Sequence, residues 1–388
     1  LKPLPVLDIH IIVISSVRPS PSSAGQIILH RHLVEQPGMT LEVHGNEPTR
    51  PSLSRLIRRI AGRLGKTRLH RFVEDFWVLW GGRWIDPELP RTISHPERSI
   101  VLTVAHGDGF MAAQRFAKRH RLPLVSIFHD WWPDIAEAHP PFRSLLESKF
   151  KALAHESSVA FCVCEGMREA LGSVPNAVIL PPISADMPNI EPAPRDAANP
   201  FKIIYSGNLS DYGPMLGDAL EESLKHPEIL LQVRGSNPAW SEECKAKMRA
   251  NGRWLDFAPR AELDAWLASA DAFLVPMVFD PKVRRRMETS FPSKLVEFAQ
   301  FGKPIVVWGP ESCSAIRWAS DGDKALCITD PDPCEAIRCL RSLQSDRSLN
   351  SIYAEKIRQA ADEEFNPKRI QQAFRSLLAG TLQKTKSN

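Results

Sequence analysis

Phe291-Pro292-Ser293-Lys294-Leu295-Val296-Glu297-Phe298-Ala299-Gln300-Phe301-Gly302-Lys303-Pro304-Ile305-Val306-Val307 is the stretch on which the fold turns. Pro292 suits the first turn of a helix, where its missing N–H costs nothing. Leu295, Phe298 and Ala299 recur at i, i+3 and i+4, so they share one inward face. Gly302 suits a left-handed cap, and the apolar run that begins at Pro304 reads as a buried strand. A helix leading straight into such a strand is half of a strand–helix–strand repeat. Its N-terminus then points toward the carboxyl ends of the strands, where free N–H groups and the helix dipole favour an anion. The dipole disfavours a cation at Lys294 unless an anion sits beside it. Glu297, further along the same face, can accept from vicinal hydroxyls. The plain alternative is a solvated Lys–Glu pair on a surface helix.

The pattern repeats along the chain. Apolar runs at Ile9–Ser15, Ser99–Val104, Leu124–Phe128, Val159–Val163 and Val178–Leu180 read as strands of a first sheet. Phe201–Ser206, Ile229–Arg234, Ala272–Pro276, Pro304–Trp308 and Ala325–Thr329 read as a second. Most lack polar alternation, as expected of strands covered on both faces. Helical spacing between them (Gly109–His120, Ala261–Ala270, Ser293–Phe301, Glu335–Leu343) implies parallel sheets with right-handed crossovers. The proline-rich segment 191–200 reads as a linker. It separates a first domain, 1–190, from a second, 201–365, with a final helical segment at 366–388.

Bulk composition limits the function classes. In 388 residues, 43% hydrophobic and 24% charged content is ordinary for a globular protein, and a net charge of +4 argues against a polycation. The seven cysteines show no zinc spacing, and Cys162-x-Cys164 reads as two buried strand thiols in a reducing cytoplasm. Leu7–Val17 contains Asp8 and His10 and reads as a first strand rather than a leader.

Ligands of parallel sheets bind beyond the carboxyl ends of the strands, so the loops there are the candidate site. Ser206-Gly207-Asn208 ends one strand, and Gly207 permits close backbone approach to a phosphate. His129-Asp130-Trp131-Trp132 ends another and pairs aromatic faces with polar groups, as a carbohydrate platform does. His106 follows a third, and Gly25 lies in a turn after the first. Each is weak singly; a plain turn or a core tryptophan would read the same.

Together these elements resemble the retaining glycosyltransferases of family 4. Besides the Pro292–Pro304 element, Ala261–Pro276 is similar to that family's E-E-L…A-D…L-x-P run. Cys164-Glu165-Gly166-Met167 resembles its S-E-x-M element and Leu180-Pro181-Pro182 its N-P element. The resemblance implies the GT-B fold: α/β, two Rossmann-like doubly wound domains facing a central cleft. The first domain would bind the acceptor and the second a nucleotide-sugar, with the last helix crossing back. It implies donor-binding roles for Gly25, Gly207, Asn208, Pro259, Ser293, Lys294 and Glu297. His106, His129, Asp130 and Lys294 would be the catalytic set, and transfer would proceed with retention. Three departures stand out: Asn208 where the family often has Arg, no Lys across Asp211–Leu216, and Thr289 where a Glu is usual. Arg284, Arg285 and Arg286 are placed to compensate for the missing charge.

No cofactor or metal is expected; Asp321-Gly322-Asp323 and Asp330-Pro331-Asp332 match D-x-D but fall in late loops. The expected partners are a nucleotide-sugar and a glycan or lipid-linked acceptor, in cell-surface polysaccharide synthesis. Two other classes fit the sequence less well. One is a non-catalytic scaffold of the same fold, the other a nucleotide-sugar epimerase. From Arg50 to Arg71 the chain carries eight Lys or Arg and no acid, on helical spacing with Leu53, Leu56, Ile57, Ile60 and Leu64. This segment reads either as an ordinary helix with a solvated basic face or as a surface for anionic lipid on the inner face of the membrane. In the second reading Arg55, Arg58, Arg59, Arg63 and Lys66 face the membrane. No nucleic-acid motif accompanies it.

Overall fold

The computed structural model describes residues 8–21, 24–33, 38–45, 53–185, 198–236 and 238–387, leaving out the side chains of residues 24, 53–55, 87 and 385–387. The chain forms two compact units, one of residues up to Pro181 together with Lys368 onward, the other of Pro182–Pro367. Most of the expected linker, 191–197, lies outside the described residues, as do Ser22 and Ser23.

The first unit contains β1 (Ile9–Ser15), α1 (Ala24–Leu33), β2 (Met39–Gly45), α2 (Leu53–Leu64), α3 (His70–Trp80), β3 (Ser99–Val104), α4 (Gly109–His120), β4 (Leu124–Phe128), α5 (Trp132–Ile135), α6 (Pro140–Glu156), β5 (Val159–Cys162), α7 (Glu165–Leu171) and β6 (Ala177–Ile179). Its sheet is parallel, in the order β2-β1-β3-β4-β5-β6. The order reverses between β1 and β3, so a crevice opens beyond Ser15 and Val104. β3 and β4 are buried at every position, which explains their unbroken apolar runs. Cys162 and Cys164 are buried, and burial pushes the Cys162 thiol up to about 12.

The second unit contains β7 (Phe201–Ser206), α8 (Gly213–Ser223), β8 (Ile229–Arg234), α9 (Glu242–Ala250), β9 (Trp254–Leu255), α10 (Arg260–Ala268), β10 (Ala272–Pro276), α11 (Arg284–Thr289), α12 (Ser293–Ala299), β11 (Ile305–Trp308), α13 (Ser314–Ser320), β12 (Leu326–Ile328), α14 (Pro333–Ser345) and α15 (Arg347–Glu363). Its order is β12-β11-β10-β7-β8-β9, again parallel, with the reversal between β7 and β10. The last helix, α16 (Pro367–Ser387), packs on the first unit: Phe374 meets His32 of α1 at 5.4 Å and Phe161 of β5 at 5.2 Å between ring centroids.

The arginine run lies in a short helix, α11. The D-x-D carboxylates serve local structure: Asp332 accepts from Cys334 N–H to cap α14, and Asp323 pairs with Lys356 and Tyr353.

Candidate active site

A cavity of about 710 Å³ opens at the strand reversal of the first unit. Its floor is built by close approach of two loops. Gly107 has φ +65°, and a Cβ there would come within 2.5 Å of Ser16 Oγ. Gly109 N–H donates to Ser16 Oγ at 2.9 Å, and Ser16 Oγ donates to Asp108 Oδ1 at 3.3 Å. The indole N–H of Trp84 donates to the other Asp108 oxygen. Burial nonetheless pushes the Asp108 carboxyl above its ordinary value, against the pull of Trp84, Ser16 and Arg58.

His106, His129, Asp130 and Trp132 form one side of the cavity. The His106 and Trp132 rings stand 3.9 Å apart, centroid to centroid. Burial lowers the pKa of both histidines, His129 to about 4, with Asp130 opposing in each case. Both rings are therefore neutral at pH 7, each with one nitrogen to donate and one to accept. The opposite side comes from α3, which turns Val73, Glu74, Trp77 and Val78 inward at i, i+1, i+4 and i+5. Asp75 of the same helix is buried and fixes α3 to α6, accepting from His139 N–H at 2.8 Å and pairing with its ring at 2.6 Å. The Glu74 carboxyl is raised, first by burial and then by Asp108, Glu137 and Asp75. Arg58 of α2 lies 4.6 Å from the centre of the Trp84 ring. Neutral imidazoles, carboxyls and indole faces around one cavity suit a polyhydroxylated ligand, with hydroxyls hydrogen-bonded and C–H faces on the rings.

In the second unit, Gly207 and Gly235 bring the ends of β7 and β8 together; a Cβ on Gly235 would lie 2.2 Å from Gly207 O. Asn208 Oδ1 accepts from Ser210 N–H at 2.8 Å and Ser210 Oγ at 2.6 Å, an Asx turn that shapes the loop. Lys294 Nζ donates to Glu297 Oε2 at 2.7 Å, with both side chains mostly shielded. No side chain caps the start of α12. Arg286 bonds Asp211 at 2.8 Å, and Arg284 bonds Glu288 at 2.7 Å. Two of the three arginines expected to supply missing charge thus already hold carboxylates.

Residues 200–346 match the family described as Glycosyl transferases group 1. Anabaena HepE in complex with UDP superposes with a TM-score of 0.63 at 15% identity, over 96% of this chain and 100% of its own. Sucrose-phosphate synthase from Thermosynechococcus elongatus gives 0.62 at 13%, over 96% and 100%. Trehalose 6-phosphate synthase from Burkholderia multivorans gives 0.59 at 12%, over 98% of each chain. The fold is GT-B. No curated protein matches the chain.

Within the first GT-B domain the cavity gathers Gly25, His106, His129 and Asp130. Trp131 and Trp132 part company: Trp131 is core, edge-on to Phe150 at 5.0 Å, and only Trp132 lines the cavity. Arg58 turns into the cavity, whereas Arg59, Arg63 and Lys66 are exposed; the Arg55 side chain lies outside the described residues. Glu74, Trp77, Trp84 and Asp108 were not foreseen. The spacing of Glu74 and Trp77 on one face of α3 is the signal that the sequence offers for them. Within the second domain, Lys294 and Glu297 share one face of α12, and Pro259 N-caps α10.

Proposed function

We propose that the protein is a glycosyltransferase that moves a sugar from a nucleoside diphosphate to a hydroxyl of a carbohydrate acceptor. The observation that carries this reading is the Lys294–Glu297 pair at the start of α12, inside the segment that matches Glycosyl transferases group 1. A donor's diphosphate would take Lys294 from Glu297 and leave that carboxylate to accept from the ribose hydroxyls. Gly207, Asn208, Ser293 and Pro259 would complete the donor site. As the glycosidic bond breaks, charge grows on the leaving diphosphate, and the α12 N-terminus and Lys294 would stabilise it by fixed dipole and charge. The acceptor would lie in the first-unit cavity, its hydroxyls held by His106, His129 and Asp130. The leaving phosphate would take the acceptor proton in a same-face, retaining transfer, with no metal required.

The acceptor we propose is a glycan or lipid-linked sugar, in polysaccharide assembly at the cytoplasmic face of the membrane. Leu56, Ile60 and Leu64 of α2 and Leu69, Phe72 and Leu79 in and beside α3 are exposed apolar residues. With exposed Arg59, Arg63 and Lys66 they form a surface suited to anionic lipid. Among the described residues, no helix is long and apolar enough to cross a membrane.

The test is a thermal-shift series with UDP-, GDP-, ADP- and dTDP-sugars. UDP-glucose comes first because HepE has been seen with it. Native-state binding raises the melting temperature. A shift with one nucleotide class, abolished in Lys294→Ala and Glu297→Ala, is expected. No shift with any donor at millimolar concentration would favour a non-catalytic scaffold.

A further inference from the structure

A second, smaller pocket of about 310 Å³ lies on the first unit behind the cavity, with Met111 common to both walls. It is walled by the end of α3 and by α4 and α6, and four cations line it: Arg83, Arg115, Lys118 and Lys149. Arg115 is held by Asp86 through two bonds of 3.2 Å. The one carboxylate in the wall, Glu156, accepts from Gln114 Nε2 at 3.2 Å. Among the described residues no carboxylate lies within ion-pair distance of Arg83, Lys118 or Lys149. Like charges gathered in one partly desolvated pocket repel, and Lys149 shows it: its pKa is lowered by burial and then by Arg115 and Arg83.

The carbonyl end of α3, whose dipole favours cations, offsets part of that excess and is already engaged. Gly81 N–H donates to Trp77 O at 2.9 Å, and Lys149 Nζ donates to Val78 O at 2.8 Å. The indole N–H of Trp80, another wall residue, is buried with no acceptor. An arginine fork, two flexible ammonium groups and a second guanidinium around one hollow form a donor set for tetrahedral oxyanions.

We propose that this pocket is a binding site for a phosphate group, distinct from the larger cavity lined by His106, His129 and Asp130. The pocket is larger than one phosphate needs, so the group can arrive free, on a small phosphorylated molecule, or on a lipid headgroup; exposed Leu79 in the same wall adjoins the apolar surface of α3. The site rests on the pocket's own charges and does not depend on the transfer reading.

The experiment has two arms. In the first, melting temperature is followed against inorganic phosphate, with chloride at matched ionic strength as blank. In the second, sedimentation is measured with phosphatidylcholine vesicles containing phosphatidic acid. Each arm uses the wild type, Arg83→Ala with Lys118→Ala, and Arg119→Ala with Arg143→Ala as a control that removes equal charge elsewhere. All four substituted residues are exposed, so the fold is retained. The pocket variant is expected to need at least ten-fold more phosphate for the same shift, while the control follows the wild type. The same separation seen only with vesicles assigns the phosphate to a lipid. If the pocket variant and the control behave alike in both arms, the proposal is wrong.

Discussion

Glu74 sits where its charge is costly. It is half-buried on the cavity wall, and Asp108, Glu137 and Asp75 all raise its pKa. No hydrogen bond from a described residue stabilises its charged form. A side chain kept at a cost to stability is characteristic of a binding site. Glu74→Gln should therefore raise the melting temperature at pH 7.5 while weakening use of the acceptor. The sign follows from linkage. A carboxyl whose folded pKa is raised contributes favourably below its unfolded pKa and loses that contribution as pH rises through the folded value. The gain over wild type should thus be present at pH 7.5 and shrink toward pH 4; a gain independent of pH would contradict it. Asp108 plays the opposite part, joining Trp84 to the Ser16 loop. Asp108→Ala leaves two donors without their acceptor and should cost about 1–3 kcal/mol, read by denaturant melting. His106, His129 and Asp130 each follow a buried strand directly, so their position could be read from the chain. Glu74, Trp77 and Trp84 reach the cavity from a crossover segment, and only tertiary packing brings them there.

At the scale of elements, strands buried on both faces were legible to the residue: β1, β3, β4, β7, β8 and β10 coincide with their apolar runs. β2 and β9 did not announce themselves. β2 is an edge strand of alternating Met-Thr-Leu-Glu-Val-His, only partly buried, and β9 spans two residues. The long basic segment divides into α2 and α3 around a turn at 65–69, where Gly65 ends the first helix. Leu56, Ile60 and Leu64 then face solvent while Ala61 is buried, so the apolar stripe is not the core-facing side. The α1–α16 contact gives an element-scale prediction. His32 is buried against Phe374, and burial lowers its pKa to about 3. It stays neutral when folded, so between about pH 6.5 and 3 the unfolded chain binds more protons. Stability contributed above pH 6.5 is lost as pH falls, by up to about 1.4 kcal/mol per pH unit. His32→Leu should lose less than wild type between pH 7 and 5 in paired melts. Phe374→Ala, which empties a fully buried site, should cost about 3–5 kcal/mol at any pH.

At the scale of the whole molecule, the chain leaves its first unit, builds a second, and returns. The second unit is continuous in sequence, and its core runs as one cluster from Phe201 to Phe365. A fragment of residues 198–367 should therefore melt cooperatively by itself. The first unit is not continuous: it needs α16, which buries Ile370, Phe374, Leu378 and Leu382 at four-residue spacing. Each such side chain is worth about 1.5–3 kcal/mol. Together they amount to on the order of the entire stability of a domain, about 5–15 kcal/mol. A fragment of residues 8–185 should accordingly lack a cooperative thermal transition, and joining residues 367–387 to it through a flexible linker should restore one. Circular dichroism melts of the two fragments decide the matter. If the fragment without α16 unfolds as cooperatively, and at the same temperature, as the one that carries it, then α16 is not part of the first unit's core.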